Sequence, residues 1–295
     1  MLGAAWIADR AVLPALQGAG NARAVAIASR SPERARTMAE RHGVERVHDS
    51  YEALLADPEV EAVYLPLVNS LHREWTLKAL AAGKHVLCEK PLALTVTEAE
   101  AMAAGARVAG RLLMEALMYR FHPRLARQVT DIGRKPIRHV SSWFGFRAAD
   151  PANYRLRPEL GGGALLDVGC YCLSFARWLL GEPDEVAAVA RTLDSGVDVT
   201  FGAALRFPTG QTAFAWGSFE SPEYQAAEVV FEDRTLRIEE PFTAWKNPDD
   251  PYQLMLEAFS AAALTGAEAP LPLEESIANL RVIERVREAA GLRSY

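Results

Sequence analysis

Up to about residue 120, short apolar runs rich in β-branched residues alternate with segments whose apolar residues have helical spacing. RAVAIAS (23–29) predicts a strand, and SPERARTMAERHG (31–43) predicts a helix that Ser31 caps and Gly43 ends. The pattern continues as strand and helix over 46–58, strand over 60–67, helix over 73–83, strand over 84–91, helix over 95–110 and strand over 111–121. Such alternation is typical of a parallel sheet covered by crossover helices.

The pattern changes after residue 120. A helix over 122–133 precedes longer alternating runs, which predict antiparallel strands over 137–147, 184–193, 198–207 and 211–220. Amphipathic helices over 251–264 and 274–290 close the chain. We therefore expect an α/β protein with a Rossmann-type parallel domain over 1–118 and an α+β domain over 119–295, built on a large, mostly antiparallel open sheet.

Charge and cysteine content exclude several classes of protein. The net charge is −6 and the Lys and Arg residues are scattered, which argues against a nucleic-acid partner. The odd count of 3 cysteines argues against a disulfide framework and favours a reducing compartment, the cytoplasm. We expect no membrane span and no metal site, because no apolar run approaches about 20 residues and the histidines and cysteines lack zinc spacing.

A candidate phosphate-binding turn stands at the start of the chain, in GAAWIA (3–8). In a dinucleotide-binding fold a glycine makes the tight turn after the first strand, and two further small residues allow close approach of the pyrophosphate and of the helix. Gly3, Ala5 and Ala8 stand in those places. Ala-rich helix starts are common, so this pattern alone leaves an ordinary helix start open.

The next strand ends in Ser29, Arg30 and Ser31, where a Rossmann fold presents a side chain to the adenosine ribose. NAD sites usually carry Asp or Glu there, whereas a guanidinium and two hydroxyls suit a 2′-phosphate. This favours NADP over NAD. The alternative is that Arg30 is a solvated loop residue and Ser31 only caps the next helix.

Only Met1 and Leu2 precede Gly3, whereas a strand of about 5–6 residues normally leads into such a turn. We therefore expect an upstream extension of alternating apolar residues in the natural protein. Without it, the strands that begin at Ala24 and Val60 would lose main-chain partners, and NADP would bind weakly.

Two further stretches carry candidate chemistry. GKHVLCEKP (83–91) places Glu89 and Lys90 after an apolar strand, at the sheet edge where ligands bind in open α/β folds. GGGALLDVGCYC (161–172) places Asp167 and Tyr171 four residues apart, hence on one helix face, and sets Gly169 inside that helix. A surface Lys-Pro turn, an exposed loop and a core tyrosine are the alternatives.

These stretches, with ASRSPERA (28–35) and MEALMYRFHP (114–123), resemble the Gfo/Idh/MocA oxidoreductases over nearly the whole chain. Within that family the resemblance is to NADP-dependent D-xylose and trans-dihydrodiol dehydrogenases. Many relatives carry histidine where this chain has Tyr171, and this departure favours the xylose and dihydrodiol branch over inositol-type relatives.

The resemblance implies hydride transfer between NADP and a hydroxyl carbon of a sugar or trans-dihydrodiol. It implies that Tyr171 is the acid or base, that Lys90 contacts the same hydroxyl and stabilises the phenolate, and that Asp167 positions the group. The implied cofactor contacts are Gly3, Ala5, Trp6, Ile7, Ser29, Arg30, Ser31, Leu67, Asn69, His72, Glu89 and Lys90.

The resemblance also implies a dimer or tetramer formed through the open face of the second sheet, for which Trp143, Phe144 and Trp216 are candidates. Two alternatives stay open. One is a non-catalytic relative that binds a nucleotide or sugar, and the other is a reductase that acts on sugar ketones in the opposite direction.

Overall fold

The computed structural model describes residues 1–133, 136–242 and 249–295. Its residues form two compact units. Unit 1 consists of Met1–Ala93, Thr97–His122 and Ala244–Ser276, and unit 2 consists of Leu94–Val96, Pro123–Thr243 and Ile277–Tyr295. The compact units therefore do not follow a single cut in the chain, because a helix from its last third belongs to unit 1.

The helices and strands that the sequence predicts lie close to their expected positions. The helices are α1 (Leu13–Gly18), α2 (Pro32–His42), α3 (Tyr51–Ala56), α4 (His72–Ala81), α5 (Val96–Ala109), α6 (Pro123–Gly133), α7 (Cys170–Leu180), α8 (Pro251–Thr265) and α9 (Leu273–Ala289). The strands are β1 (Ala26–Ala28), β2 (Arg46–His48), β3 (Ala62–Leu65), β4 (His85–Glu89), β5 (Leu113–Ala116), β6 (His139–Arg147), β7 (Glu185–Thr192), β8 (Asp198–Arg206), β9 (Thr212–Ser218), β10 (Glu220–Val230) and β11 (Thr235–Glu239).

Unit 1 contains parallel strand pairs on both sides of the first two residues. β1 pairs with β2, and β3, β4 and β5 form a second parallel set. Leu2 makes a parallel bridge to Ala28, and its N–H donates to the Tyr64 carbonyl at 3.0 Å. Met1 and Leu2 thus stand in the central position of a Rossmann strand order, as a stub of the first strand.

Local sequence signals account for the bounds of α2. The Ser31 hydroxyl accepts a hydrogen bond from the Arg34 N–H, Pro32 opens the helix, and Gly43 ends it in the left-handed conformation at φ 68°. The capping residues were identifiable from their types and spacing alone, because a cap is a contact within a few residues of chain.

Unit 2 contains a six-stranded sheet in the order β11-β10-β6-β9-β8-β7. Its pairs are antiparallel except for β6 with β9, which run parallel. The sequence patterns did not predict β10 and β11. Pro222 and the charged residues around it interrupt the alternation at the start of β10, and a register shift lies there as well.

Phe144 lies on the face of this sheet that α7 covers and not on the open face where it was expected. Phe144 packs against Tyr171 of α7, with ring centroids 5.5 Å apart, so it lies on the covered face. Trp143 precedes it and points to the opposite face, where its register partner on β9 is Trp216. Phe144 was therefore wrongly grouped with the other two, since neighbours on a strand point to opposite faces.

The stretch Pro158–Leu180 has the length and mean hydropathy, 1.3, of a membrane-crossing helix. However, 83% of that apolar window is buried inside the protein. We assign it to the core of unit 2, where it ends in α7.

Candidate functional site

The turn after the strand stub has the backbone that a phosphate-binding turn needs. Gly3 has φ +125°, and a Cβ at this position would lie 3.0 Å from Cδ2 of Leu67. The positive φ favours glycine, since other residues rarely adopt it. The Arg34 guanidinium donates to the Ala4 carbonyl at 2.8 Å, which ties the turn to α2. Trp6 beside it is 71% exposed.

The helix that follows begins with a π-helical segment, Ala8–Val12, which continues into α1. Ala8 is fully buried, as expected of the small residue that lets helix and strand pack closely. Ala5 and Ile7 are half-buried. The three small residues of the motif thus occupy the turn and the first helical turn in unit 1.

The structure shows the alternative role of Ser31 as a helix cap, and the cofactor role of Ser29, Arg30 and Ser31 stays a prediction. The Ser31 hydroxyl caps α2, and its own N–H donates to the Ser29 hydroxyl at 3.2 Å. Arg30 is exposed at the carboxyl end of β1. Tyr51 is a neighbour that sequence reasoning missed: burial raises the pKa of its hydroxyl, and contact with Arg30 opposes that shift.

The Glu89–Lys90 turn follows β4 directly. The Glu89 carboxylate accepts a hydrogen bond from the Tyr64 hydroxyl on β3 and another from the Lys90 N–H at 3.2 Å. The Lys90–Pro91 peptide bond is cis. Glu89 is buried, so it holds the turn rather than presenting a free carboxylate to solvent.

Two buried side chains hold the same turn from beneath. The ring of His72 lies between the carbonyl oxygens of Pro91, 2.8 Å from Nδ1, and Leu67, 3.0 Å from Nε2. Glu115 on β5 accepts the Leu92 N–H at 2.8 Å. Sequence reasoning missed Glu115, although a lone carboxylate inside the apolar run LLMEALM was the available signal.

Burial favours the neutral forms of His72 and Glu115. It lowers the pKa of His72, and the nearby positive charge of Lys90 lowers it further. It also raises the pKa of the Glu115 carboxyl. Asn69 is likewise buried, at 3% exposure, in the turn after β3. His72 therefore supports the loops that carry Leu67 and Lys90.

The remaining predicted site residues, Asp167 and Tyr171, belong to unit 2. Asp167 lies in a π-helical segment, Leu165–Gly169, that runs into α7. Its carboxylate accepts a hydrogen bond from Nε of Arg155 at 2.7 Å. Tyr171 is 7% exposed and packs against Phe144 and Phe242.

The glycines of GGGALLDVG allow close packing within unit 2. A Cβ on Gly162 would lie 2.5 Å from the Arg155 carbonyl oxygen, and a Cβ on Gly163 would lie 2.4 Å from Asp198. A Cβ on Gly169 would lie 2.8 Å from the Phe201 ring. Close packing within unit 2 explains these glycines without a ligand.

The cysteines are free and buried. Burial raises the pKa of Cys172 to about 12, which keeps this thiol protonated. Within the part of the chain that the structure describes, no group of three or more His, Cys, Asp or Glu side chains is arranged to hold a metal ion.

Comparison with known proteins identifies relatives of both halves of the chain. Residues 1–117 match the model for an oxidoreductase family with an NAD-binding Rossmann fold, and residues 128–237 match the GFO/IDH/MocA C-terminal domain. D-xylose 1-dehydrogenase (NADP(+)) 2 of Haloferax volcanii is 39% identical over an alignment of 313 positions, which covers 98% of this chain and 96% of that protein.

Two solved structures are also similar. An aldose-aldose oxidoreductase from Caulobacter crescentus, complexed with glycerol, has a TM-score of 0.91 and 32% identity. A 3-ketoreductase from Actinomadura kijaniata, in complex with NADP and TDP-benzene, has a TM-score of 0.87 and 33% identity. Each similarity covers 98% of this chain and 96% of the other. The chain therefore belongs to the GFO/IDH/MocA family of oxidoreductases.

Proposed function

We propose that the protein is an NADP-dependent dehydrogenase that oxidises a hydroxyl carbon of an aldose, with D-xylose as the first candidate. A relative that covers nearly the whole chain is a D-xylose 1-dehydrogenase that uses NADP(+). The observation that carries the proposal is the buried residue Tyr171, one helical turn after Asp167, because the tyrosine supplies a proton-transfer group in an oxidoreductase fold.

The residues of unit 1 fit a dinucleotide. Gly3, at φ +125°, makes the tight turn after the strand stub, where the backbone of such a fold approaches a pyrophosphate. Gly3, Ala5, Trp6 and Ile7 would hold the phosphates, and Ser29, Arg30 and Ser31 would hold the adenosine ribose with its 2′-phosphate. Further contacts in the proposal come from Leu67, Asn69, Glu89 and Lys90, whereas the buried His72 supports the loops that carry Leu67 and Lys90.

When bound, NADP supplies the hydride acceptor, because C4 of its nicotinamide takes a hydrogen with two electrons from the substrate carbon. The substrate hydroxyl loses its proton in the same reaction, so a carbonyl forms. Tyr171, as the phenolate, takes that proton, and Asp167 positions the hydroxyl. The resemblance gives Lys90 the role of stabilising this phenolate, since the unperturbed pKa of a tyrosine is about 10.

The direct test is a substrate panel. The purified chain is incubated with NADP or NAD and with pentoses, hexoses and trans-dihydrodiols, while the absorbance of reduced nicotinamide is followed. We expect the highest efficiency with NADP and an aldose. Binding of cofactor without turnover of any substrate would support the non-catalytic alternative and contradict the dehydrogenase.

Replacing Tyr171 with phenylalanine tests the acid–base role. Tyr171→Phe keeps the ring that packs on Phe144 and Phe242 but removes the proton-transfer group. We expect kcat to fall about 10²–10⁴-fold while NADP affinity, measured by fluorescence titration, stays the same. Near-normal turnover would remove Tyr171 from the mechanism.

A reductase that acts on sugar ketones is the second candidate, favoured by the structural similarity to a 3-ketoreductase. Reduction of keto sugars with NADPH, compared with oxidation of the corresponding alcohols, separates the two. Efficiency higher for the ketones by tenfold or more would favour the reductase.

We also propose that the protein forms a homo-oligomer, a dimer or tetramer, through the open face of the unit 2 sheet. Trp143 and Trp216 lie together on that face, beside a shallow depression of about 640 Å³ lined by Ala187, Val189 and Phe214. The free cysteines favour the cytoplasm as the compartment.

A further inference from the structure

Arg155 is a charged residue of unit 2 that the mechanism above does not use. Its guanidinium donates from Nε to Oδ2 of Asp167 at 2.7 Å, and it lies over the ring of Tyr154, 4.8 Å from the centroid. The side chain of Asp167 is 5% exposed and that of Arg155 is 30% exposed. A buried carboxylate thus has its positive partner at the edge of the protein.

The loop backbone places this guanidinium. Asn153 accepts the Arg155 N–H at 3.1 Å, and the Arg155 carbonyl accepts the Gly163 N–H at 2.9 Å. The close approach of Gly162 to the same carbonyl leaves no room for a side chain there. The glycine run therefore positions Arg155 against Asp167.

The charged and titratable groups that face Arg155 are Asp167, Tyr154 and Tyr171. Burial alone would lower the pKa of Arg155, but the charges of these groups outweigh burial and raise it. The guanidinium is thus permanently charged. Tyr171 follows one turn after Asp167, the carboxylate to which Arg155 donates its hydrogen bond.

We propose that Arg155 is a positioning residue for the proposed reaction, which fixes the Asp167 carboxylate and lowers the cost of the phenolate at Tyr171. The inference rests on the proposed function. With Arg155 present, the Asp167 and Arg155 charges offset each other. Without it, an unpaired Asp167 carboxylate would oppose the loss of the Tyr171 proton, because two like charges would then stand close together.

The first test measures Tyr171 ionisation in the free protein, without cofactor or substrate. Tyrosinate absorbance is titrated in the unchanged protein and in Arg155→Gln, and each curve is corrected by the same protein carrying Tyr171→Phe. We expect Tyr171 to ionise about one pH unit higher in Arg155→Gln. Arg157→Gln is the matched control, because Arg157 lies two residues away, pairs with exposed Glu159 and faces solvent.

The second test uses turnover. We expect Arg155→Gln to lower kcat about 10–100-fold and to move the alkaline rise of kcat upward by about one pH unit. NADP affinity should stay within about twofold. Arg155→Lys should recover part of the pH profile, since it restores the charge without the planar fork, and Arg157→Gln should leave kcat and the profile unchanged.

An equal Tyr171 titration with and without Arg155 would overturn the inference. A lower kcat in Arg155→Gln with an unshifted pH profile would also overturn it, because Arg155 would then have only a structural role. The absorbance titration needs no substrate, so it decides about Arg155 even if every substrate in the panel fails and the proposed function is wrong.

Discussion

At the scale of single residues, His72 differs most from its expected role. It was predicted to line the cofactor cleft, but it is fully buried and its ring contacts two carbonyl oxygens, those of Leu67 and Pro91. A neutral imidazole can donate to only one of them. The ring of His72 thus lies between the loop after β3, which carries Leu67, and the loop after β4, which carries Lys90 and Pro91.

The buried state of His72 predicts a pH dependence of stability. Burial depresses its folded pKa below the unfolded value of about 6.5, so the unfolded state binds the proton first as pH falls. The free energy of unfolding should therefore decrease from about pH 7.5 to about pH 5.5. Urea unfolding should show a shallower decrease in His72→Gln, and equal slopes in both proteins would contradict this account.

Arg30 tests cofactor choice at the residue scale. Arg30→Asp removes a donor fork for a 2′-phosphate and puts a like charge there, so the ratio of kcat/KM for NADP to that for NAD should fall about 10–100-fold. Arg36→Asp, which makes the same charge change at an exposed position of α2, should leave the ratio unchanged. An unchanged ratio in Arg30→Asp would mean that Arg30 does not contact the phosphate.

At the scale of elements, the packing of α7 and its π-helical start on the sheet explains two glycines. Phe201 on β8 lies opposite Gly217 on β9 and against Gly169 of the π-helical segment. A π-helical turn shifts the side chains that follow it relative to a regular helix. Asp167 and Tyr171 thus reach their positions through the contact between helix and sheet.

Gly217→Ala tests this packing. The new Cβ would lie 2.5 Å from Cε1 of Phe201 and 2.8 Å from Cγ2 of Val168, so buried groups must move. We expect a loss of about 1–3 kcal/mol in unfolding free energy, seen as a lower melting temperature. Gly20→Ala is the control, because nothing lies within 4 Å of its Cβ. Equal melting temperatures of the two variants would show that the interface has spare room.

At the scale of the whole molecule, the open face of the unit 2 sheet exposes apolar side chains to solvent. Trp143, Trp216 and Val189 lie on it, and Val189 is 74% exposed. Apolar patches of this kind in soluble proteins usually mark contacts with other proteins. A second copy of the chain is the partner that the family resemblance implies.

Trp216→Asp should therefore shift the protein from oligomer towards monomer, because it places a charge inside an apolar contact. Sedimentation equilibrium at several protein concentrations measures the change. Val108→Asp, at a residue of α5 that is 91% exposed, should leave the association unchanged. An oligomer that survives Trp216→Asp would mean that the copies associate through another surface.

Much of this protein could be predicted from local sequence signals. The strand and helix positions in unit 1, the Ser31 cap and the Asp167–Tyr171 spacing all follow from side-chain types a few residues apart, and such signals act within one element. β10 was missed because Pro222 and charges mask its alternation. Phe144 was misplaced because the side of a sheet that a helix covers is not a local property.

Sequence alone determined the family, the α/β alternation and the residue types at the ends of the strands. Tertiary structure decided which side chains meet. His72 became a support for the Lys90 turn, Glu115 joined it from another strand, and Arg155 paired with Asp167 across a glycine loop. The physical reason is that burial and charge pairing depend on distances between segments far apart in the chain. The spacing of residues within one segment does not determine those distances.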